Sequence, residues 1–480
     1  MSYINQKVKN NPKKEEIVTG FLGGLNTFQD QTLIRDSELT EAKNIILSVD
    51  GIECRPGILQ YGTTLNSRIL GGIGFYTSTG TREFLRFSGT QLQKYVGTTP
   101  TNIGSTTYNS SALMNLLLAR DKVYTFNGVD PLSYYDGSTI TVFSSLTTPV
   151  GLGVTPTGTT GSEPYAYRIS AFNSQGETLA CASVATATGN ATLSATNYNA
   201  LAWTAVTGAV GYNVWGRKST GLGHTYMATV YTNAYNDKGQ DTPSVLTLPP
   251  EGNTTLGMIC SMGVFAIGRI FAAGDPSNPS RLYYGGVGAN INNFSTAPEG
   301  GGSVDVFKND GQIIRAILPY QGGVIVWKDN AIYKFSFNSS GYPQLEEITR
   351  SFGGIAFRSC KHVENDVVFA AKKDGRLAFY SLGNQENYSS AILRTNELSI
   401  KVASRLADIN TAYMQNSAAF YFNNIYGCAI PKSTSTTNNR IWCLDTRFGA
   451  WTYWDDLNPN FFMDYVDSTV AQSILRSKNS

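Results

Sequence analysis

Gly323-Val-Ile-Val-Trp-Lys-Asp-Asn-Ala-Ile-Tyr-Lys-Phe335 decides the fold, because Asp366-Val-Val-Phe-Ala-Ala-Lys-Lys-Asp-Gly-Arg-Leu-Ala-Phe-Tyr380 is nearly its copy. Each is a pair of apolar runs joined by a short polar turn, the pattern of an antiparallel hairpin. The same unit recurs in both directions along the chain. Upstream lie Gly72–Tyr76 with Glu83–Phe87 and Leu92–Val96, then Leu116–Phe126 running through Asn127-Gly128 to Gly137, then Val264–Ala272 leading to Arg281–Tyr284. Downstream lie Ala418–Phe422, Tyr426–Ile430 and Arg440–Asp445. Asn-Gly and Asp-Gly suit the turns that join twisted strands, because both residues tolerate positive φ. The units return after roughly forty to fifty residues, the length of a four-stranded blade. The chain therefore reads as all-β, a β-propeller of about seven blades. No WD or kelch motif marks the repeat. The first strand of each unit is apolar on both faces and is expected innermost, with alternating strands at the outer edge.

Composition narrows the function. Basic and acidic residues nearly balance, 37 against 35 for a net charge of +2, which argues against a dedicated nucleic-acid binder. Six cysteines stand far apart without a C-x-x-C pair, and the chain has only two histidines. Buried free thiols are expected rather than a zinc site. The most apolar stretch, Cys260–Gly274, is short, broken by glycine and carries Arg269. It reads as a strand pair, and no membrane span is expected. Met1–Asn11 has no apolar core of a Sec-type signal, so synthesis in a cytoplasm and, if the chain leaves, another route are expected.

Four regions follow from the change of texture. Residues 1–60 hold a polar arm with Lys7, Lys9, Lys13 and Lys14, a short helix and a hairpin. The helix is predicted over Asp36-Ser-Glu-Leu-Thr-Glu-Ala-Lys-Asn44, with Asp36 or Ser37 as its cap and acidic residues in its first turn. The hairpin is Ile45–Leu47, a turn at Asp50-Gly51, and Ile52–Gly57. Residues 61–148 begin the propeller and 251–480 complete it. Between them, 149–250 is richer in Thr, Ala, Ser and Gly. There Tyr165, Tyr167 and Ile169 alternate as in a sandwich strand, and Trp203 is a natural core plug. The runs Tyr167–Glu177 and Trp203–Tyr212 resemble fibronectin type III and immunoglobulin-like modules. Their order is reversed relative to that family, which implies a permuted or split insertion.

No nucleophile elbow, P-loop, H-E-x-x-H or EF-hand loop is present. No catalytic residue, cofactor or metal site is assigned, and an enzyme is not expected. Asp455 and Asp456 follow Trp451 and Trp454, which admits two readings. One is a glycan platform of aromatic rings and carboxylates; the other is a blade hairpin with tryptophan in the core. Adjacent strand residues point to opposite faces, so the two carboxylates cannot flank one glycosidic bond. Asp445–Trp451 is similar to the Asp-box turns of sialidase-type propellers but lacks their spacing. His362 is expected on a strand edge and His224 in an exposed loop.

The chain also resembles the tail nozzle proteins of short-tailed bacteriophages, the tail tubular protein B group and related packaged-DNA stabilisation proteins. The resemblance rests on Gly23–Thr27, Glu41–Asn44 and Gly51–Gly57 at the start, on Asp310–Ile314 and Val324–Tyr333 in the middle, and on Asp445–Trp451 late in the chain. It implies a structural ring, typically a homo-hexamer, below a tail adaptor protein in the virion, assembled in the host cytoplasm. Such a ring continues the channel through which double-stranded DNA passes and meets a tail fibre or spike. Near-neutral charge suits a conduit, since a strongly basic lumen would hold phosphates. The oligomer or adaptor interface is expected at Lys13, Lys14, Phe21, Leu25, Leu39 and Arg55. The alternative is a carbohydrate-binding or glycan-cleaving propeller used in host recognition, built on Trp451, Trp454, Asp455 and Asp456.

Overall fold

Short strands joined by tight turns pair with their sequence neighbours, and the result is six consecutive four-stranded antiparallel meanders. The computed structural model describes residues 20–58, 68–96, 98–218, 224–295, 300–373, 375–387, 390–465 and 473–476. Blade one runs Ile69–Tyr76, Arg82–Ser88, Gln91–Val96 and Thr99–Asn102; blade two runs Asn115–Ala119, Lys122–Phe126, Ser133–Tyr135 and Ile140–Val142. Blade three runs Met262–Ala266, Arg269–Ala273, Arg281–Tyr284 and Gly302–Asp305; blade four runs Ile314–Tyr320, Gly323–Lys328, Ile332–Phe337 and Pro343–Thr349. Blade five runs Lys361–Val363, Asp366–Lys373, Arg376–Asn387 and Ser390–Glu397; blade six runs Ala418–Phe422, Ile425–Ile430, Arg440–Asp445 and Ala450–Asp455. The seventh place is taken by the pair Phe462–Tyr465 and Ser473–Arg476. Its first strand packs between the first strands of blades six and one. The Phe462 ring lies 4.9 Å from Phe420, while Phe461 and Met463 crowd Gly72 and cluster with Phe84. A Cβ at Gly72 would lie 2.9 Å from Phe461, so a glycine is required where the ring closes.

The strands buried on both faces are not the innermost ones, contrary to the sequence reading. Gly323–Lys328, Ile425–Ile430 and Arg440–Asp445 are buried at every position, and all are middle strands of their blades. Neighbouring blades cover both faces of a middle strand. A first strand such as Lys361–Val363 has a blade partner on one side only and keeps an exposed residue. Aromatic side chains fill the spaces between blades: Trp327 against Phe369 from blade four to five, and Phe379 against Tyr426 and Trp451 from five to six. Each such ring removes about 2–3 kcal/mol worth of apolar surface from water.

The expected helix over 36–44 does not form. Glu38–Leu39 instead pairs in parallel with Gly24–Leu25, and 42–44 lies along the open edge of blade six. Tyr453 N donates to Ala42 O (3.1 Å) and Asn44 N donates to Tyr453 O (2.7 Å). Helix propensity is a weak prior for nine residues. An unpaired strand edge offers hydrogen bonds as well as burial, and Leu25 and Ala42 enter the core shared by blades five and six. The hairpin that follows, Ile45–Ser48 with Gly51–Cys54, is where the sequence places it.

The segment between blades two and three is a β-sandwich. Gly153–Thr157, Tyr198–Ala202 and Ala234–Asp237 form one sheet; Val184–Gly189, Glu163–Phe172, Gly211–Lys218 and Thr225–Val230 form the other. Tyr165, Tyr167, Ile169, Trp203 and Tyr212 meet between them, as alternation predicts. The loop 173–177 docks on the propeller, where Gln175 Nε2 donates to Asn292 O (2.8 Å) and Thr254 N donates to Glu177 O (2.9 Å).

At one end of the axis, the 3-10 turn Phe357–Ser359 leads into blade five. Arg358 there donates from Nε to Asn115 Oδ1 (2.7 Å), from Nη2 to Met114 O (2.9 Å) and Leu70 O (3.3 Å), and from Nη1 to Asn460 O (3.3 Å). The next residue accepts from Tyr426 Oη through its carbonyl (2.7 Å). Desolvation, with Arg68 nearby, pushes the Arg358 pKa down to about 10.

The segment 24–44, a strap along blade six, is tested at Gly24. Its φ is +65°, and a Cβ would stand 2.9 Å from both Ala450 Cβ and the Trp451 backbone. Gly24→Ala is expected to lower stability by about 1–3 kcal/mol, measured by urea denaturation. Gly57→Ala, with nothing within 4 Å, is expected to leave the midpoint unchanged.

Candidate functional site

Alternation along Ala450–Asp455 sends Trp451, Tyr453 and Asp455 to one face and Trp454 to the other. Trp451 is 1% exposed, lies 5.0 Å from Phe379, and donates from Nε1 to Leu398 O (2.8 Å). It is a core plug. Trp454 stacks on Phe420 at 6.0 Å and donates to Ile45 O (3.1 Å), which fastens the N-terminal hairpin. Asp456 sits exposed in a turn at φ +66°. The two tryptophans therefore present no common platform, and the two carboxylates diverge.

Asp455 faces an open cleft of about 410 Å³ lined also by Lys43, Arg405, Asp408, Lys432, Arg440 and Tyr453. Arg440 grips Asp455 with two hydrogen bonds, 2.7 and 2.8 Å, and its guanidinium lies 4.0 Å over the Tyr453 ring. Lys43 Nζ is 3.8 Å from Asp455. Arg405 pairs with Glu41 (2.7 Å) and donates to Tyr453 Oη (3.2 Å), while Tyr453 Oη donates to Glu41. Four cations against two carboxylates make the lining basic. Burial pushes the Asp455 carboxyl up, but hydrogen bonds and charge from Arg440, helped by Lys432 and Lys43, hold it below the usual range. An ionised, clamped carboxylate is a poor proton donor, so the cleft is suited to binding an anionic or hydroxyl-rich group.

Of the cleft residues, sequence reasoning singled out Asp455 alone. The others come from separate segments: the strap, the turns after blade five, and two strands of blade six. One signal was available, since Arg440 and Asp455 are cross-strand partners and pairing back from the 445–450 turn puts them opposite one another.

Lys13 and Lys14 lie outside the described residues. Phe21 is half-buried. Leu25 and Leu39 pack against the chain's own blades, and Arg55 Nε donates to Asn44 Oδ1 (3.2 Å). Exposed apolar side chains are found elsewhere. Val49 (70% exposed) and Ile52 (40%) lie on the N-terminal hairpin, whose strand Gly51–Cys54 pairs on one side only. Val245 (90%), Leu246 (87%) and Leu248 stand on the segment that leaves the sandwich. His362 is exposed on the first strand of blade five. His224 is half-buried, with Nε2 3.0 Å from Ser183 Oγ, rather than exposed. Five cysteines are buried, Cys54 is exposed, and all six are free thiols. Among the described residues no cluster of His, Cys, Asp or Glu could hold a metal ion, and no helix is long and apolar enough to cross a membrane.

The class defined by these elements is an all-β protein, a β-propeller carrying a β-sandwich between its second and third blades. No family model matches the chain, and no curated protein matches it. Among solved structures it is similar to the computationally designed Ika8 protein, at 10% identity and TM-score 0.33, covering 87% of this chain and 95% of that one. Kluyveromyces lactis Hsv2 matches at 6% identity and TM-score 0.28, covering 86% and 98%. The WD40 domain of SCAP from fission yeast matches at 10% identity and TM-score 0.30, covering 81% and 84%. Likenesses this distant carry no functional argument, and the blades themselves define the fold.

Three carboxylates fix the strap. Burial pushes all three up. Hydrogen bonds from Lys401 and Asn26 outweigh it at Glu38, those from Arg405 and Tyr453 at Glu41, and Arg440 at Asp455, so each is held below its ordinary value of 4.5, 4.5 and 3.8. A folded value below the unfolded one gives stability that is complete above the unfolded value and lost as pH falls through the folded one. Hydrogen exchange is expected to show 24–44 protected at pH 6 and progressively opened below about pH 4, with Glu38→Gln flattening that dependence. Protection that does not change between these pH values would refute the assignment.

Proposed function

We propose that this chain is a structural subunit of a closed homo-oligomeric ring, of the phage tail nozzle kind, and acts without catalysis. In that reading about six copies sit below the tail adaptor in the virion, continue the DNA ejection path, and meet fibres or spikes. The observation that carries the reading is a pair of unlike exposed apolar surfaces. One is the one-sided hairpin on blade six with Val49 and Ile52; the other is Val245, Leu246 and Leu248, leading out of the sandwich between blades two and three. Those attachment points are about half a turn apart in a ring of seven places. Two different patches are what a head-to-tail contact needs, and head-to-tail contacts close into a ring when the rotation between neighbouring copies closes. The resembling runs at 23–27, 41–44 and 51–57 build the strap and this hairpin. Arg358 reaches across the axial end, so a DNA path would run between copies and not through a single propeller.

The basic cleft favours a second reading, recognition of an acidic glycan. Lys432→Ala should then reduce binding to charged saccharides on a glycan array, and an array without hits removes this reading.

The ring is tested by mass photometry. Ile52→Lys and Leu246→Asp should each give monomers at micromolar concentration. Mixed together they should give dimers, because each variant retains the surface the other has lost. A monomeric wild-type chain, or a mixture that stays monomeric, overturns the proposal.

A further inference from the structure

The cleft beside blade six has walls from two parts of the chain that are far apart in sequence. Lys43 comes from the strap, which lies along the blade edge. There Lys43 bridges in parallel to Tyr453, and Asp455 N donates to Asn44 Oδ1 (3.0 Å). Lys432 comes from blade six itself, in the loop between Ile425–Ile430 and Arg440–Asp445, where its amide donates to Asn439 Oδ1 (2.6 Å). Both line the one cavity of about 410 Å³, a size that admits a ligand of one or two sugar rings.

The charges around this cavity are unequally engaged. Arg405 is paired with Glu41, and Arg440 uses Nε and Nη2 on the two oxygens of Asp455. Lys43 Nζ stands 3.8 Å from that occupied carboxylate, beyond a hydrogen bond, and its side chain is about half exposed. Lys432 is half-buried and forms no ion pair among the described residues. The remaining acid of the lining, Asp408, is exposed. One ammonium from the strap and one from the blade are therefore left to a ligand.

We propose that an anionic saccharide in this cleft is held by Lys43 and Lys432 together, so that its binding locks the strap onto blade six. The proposal rests on the acidic-glycan reading of the cleft and adds its regulation, because the strap runs directly into the hairpin that carries Val49 and Ile52. Sulfate or carboxylate groups of the sugar take a charge-assisted hydrogen bond from each ammonium. When the strap leaves the edge, Lys43 leaves with it and its bond is lost, a change of about tenfold in affinity. Coupling between two equilibria is reciprocal, so the bound saccharide reduces opening of the strap by the same factor.

The experiment is hydrogen exchange of the full chain at about pH 7, above the carboxylate range. It is run with and without a saturating trisulfated uronic acid–glucosamine disaccharide, with ionic strength matched by sodium chloride and binding followed by calorimetry. The amides of Asn44, Tyr453 and Asp455, whose hydrogen bonds join strap to blade, should exchange about tenfold more slowly with the disaccharide. Those of the sandwich strand Gly211–Lys218 should not change. Lys43→Met, which keeps the stem and removes the charge, should bind about tenfold more weakly, and saturation should then leave the three amides as they were. Lys432→Met should weaken binding by a similar factor. If Lys43 merely steadies the strap, the Lys43→Met strap will exchange faster without ligand yet still be slowed tenfold by it, which overturns the joint hold. A disaccharide that binds the wild type without slowing the three amides overturns the coupling and leaves the acidic-glycan reading standing. One that does not bind overturns both.

Discussion

Arg358 stands where the ring must be held together, and the constraint it answers is that a propeller's ends have to meet. Its guanidinium takes oxygens from Leu70, Met114, Asn115 and Asn460, which belong to the first, second and seventh places, while its own turn precedes blade five. Asn115 passes the connection on to Ser261 O at the start of blade three (2.6 Å). Tyr426 brings in blade six through the carbonyl of Ser359. Only a planar fork with several donors can serve so many acceptors at once. Each carbonyl left unpaired there would cost about 1–3 kcal/mol. The cost of the arrangement is a guanidinium taken out of water, which, with Arg68 nearby, pushes the Arg358 pKa down to about 10.

A second constraint operates at the rim. Blade six ends in the strand Ala450–Asp455, and an open strand edge invites pairing with other chains. The strap covers it from within, with Leu25 and Ala42 in the core and 42–44 on the edge. The cleft exists because of that cover: Lys43 belongs to the strap, while Tyr453, Asp455 and Arg440 belong to the blade. Covering one edge leaves another, since Gly51–Cys54 pairs only with the first arm of its hairpin. The protein has moved its unpaired edge outward, to a short two-stranded projection with exposed Val49 and Ile52.

The blades were legible because hairpins are local. Gly323–Phe335 and Asp366–Tyr380 show their pairing in a dozen residues, and the turns at Asn127-Gly128 and Asp50-Gly51 place strand ends. The sandwich was legible for the same reason, through the alternation of Tyr165, Tyr167 and Ile169. The helix reading at 36–44 failed where local propensity met a long-range partner, the edge of blade six some four hundred residues away. Strand order within a blade was also misread, because being apolar on both faces marks a strand that is covered twice, wherever it lies. The cleft was largely illegible, since its residues converge from distant segments and only the Arg440–Asp455 pair follows from a hairpin register.

By itself the sequence determined the class of fold and the burial of Trp203 and of five of the six cysteines. These depend on period, turn chemistry and apolar content within a few tens of residues. Tertiary structure alone decided that Trp451 and Trp454 face apart, that Leu25 and Leu39 serve the chain's own blades, and that Arg68 and Arg358 converge on Asn460. Those outcomes are set by ring closure, which brings together residues that have no neighbourhood in the sequence.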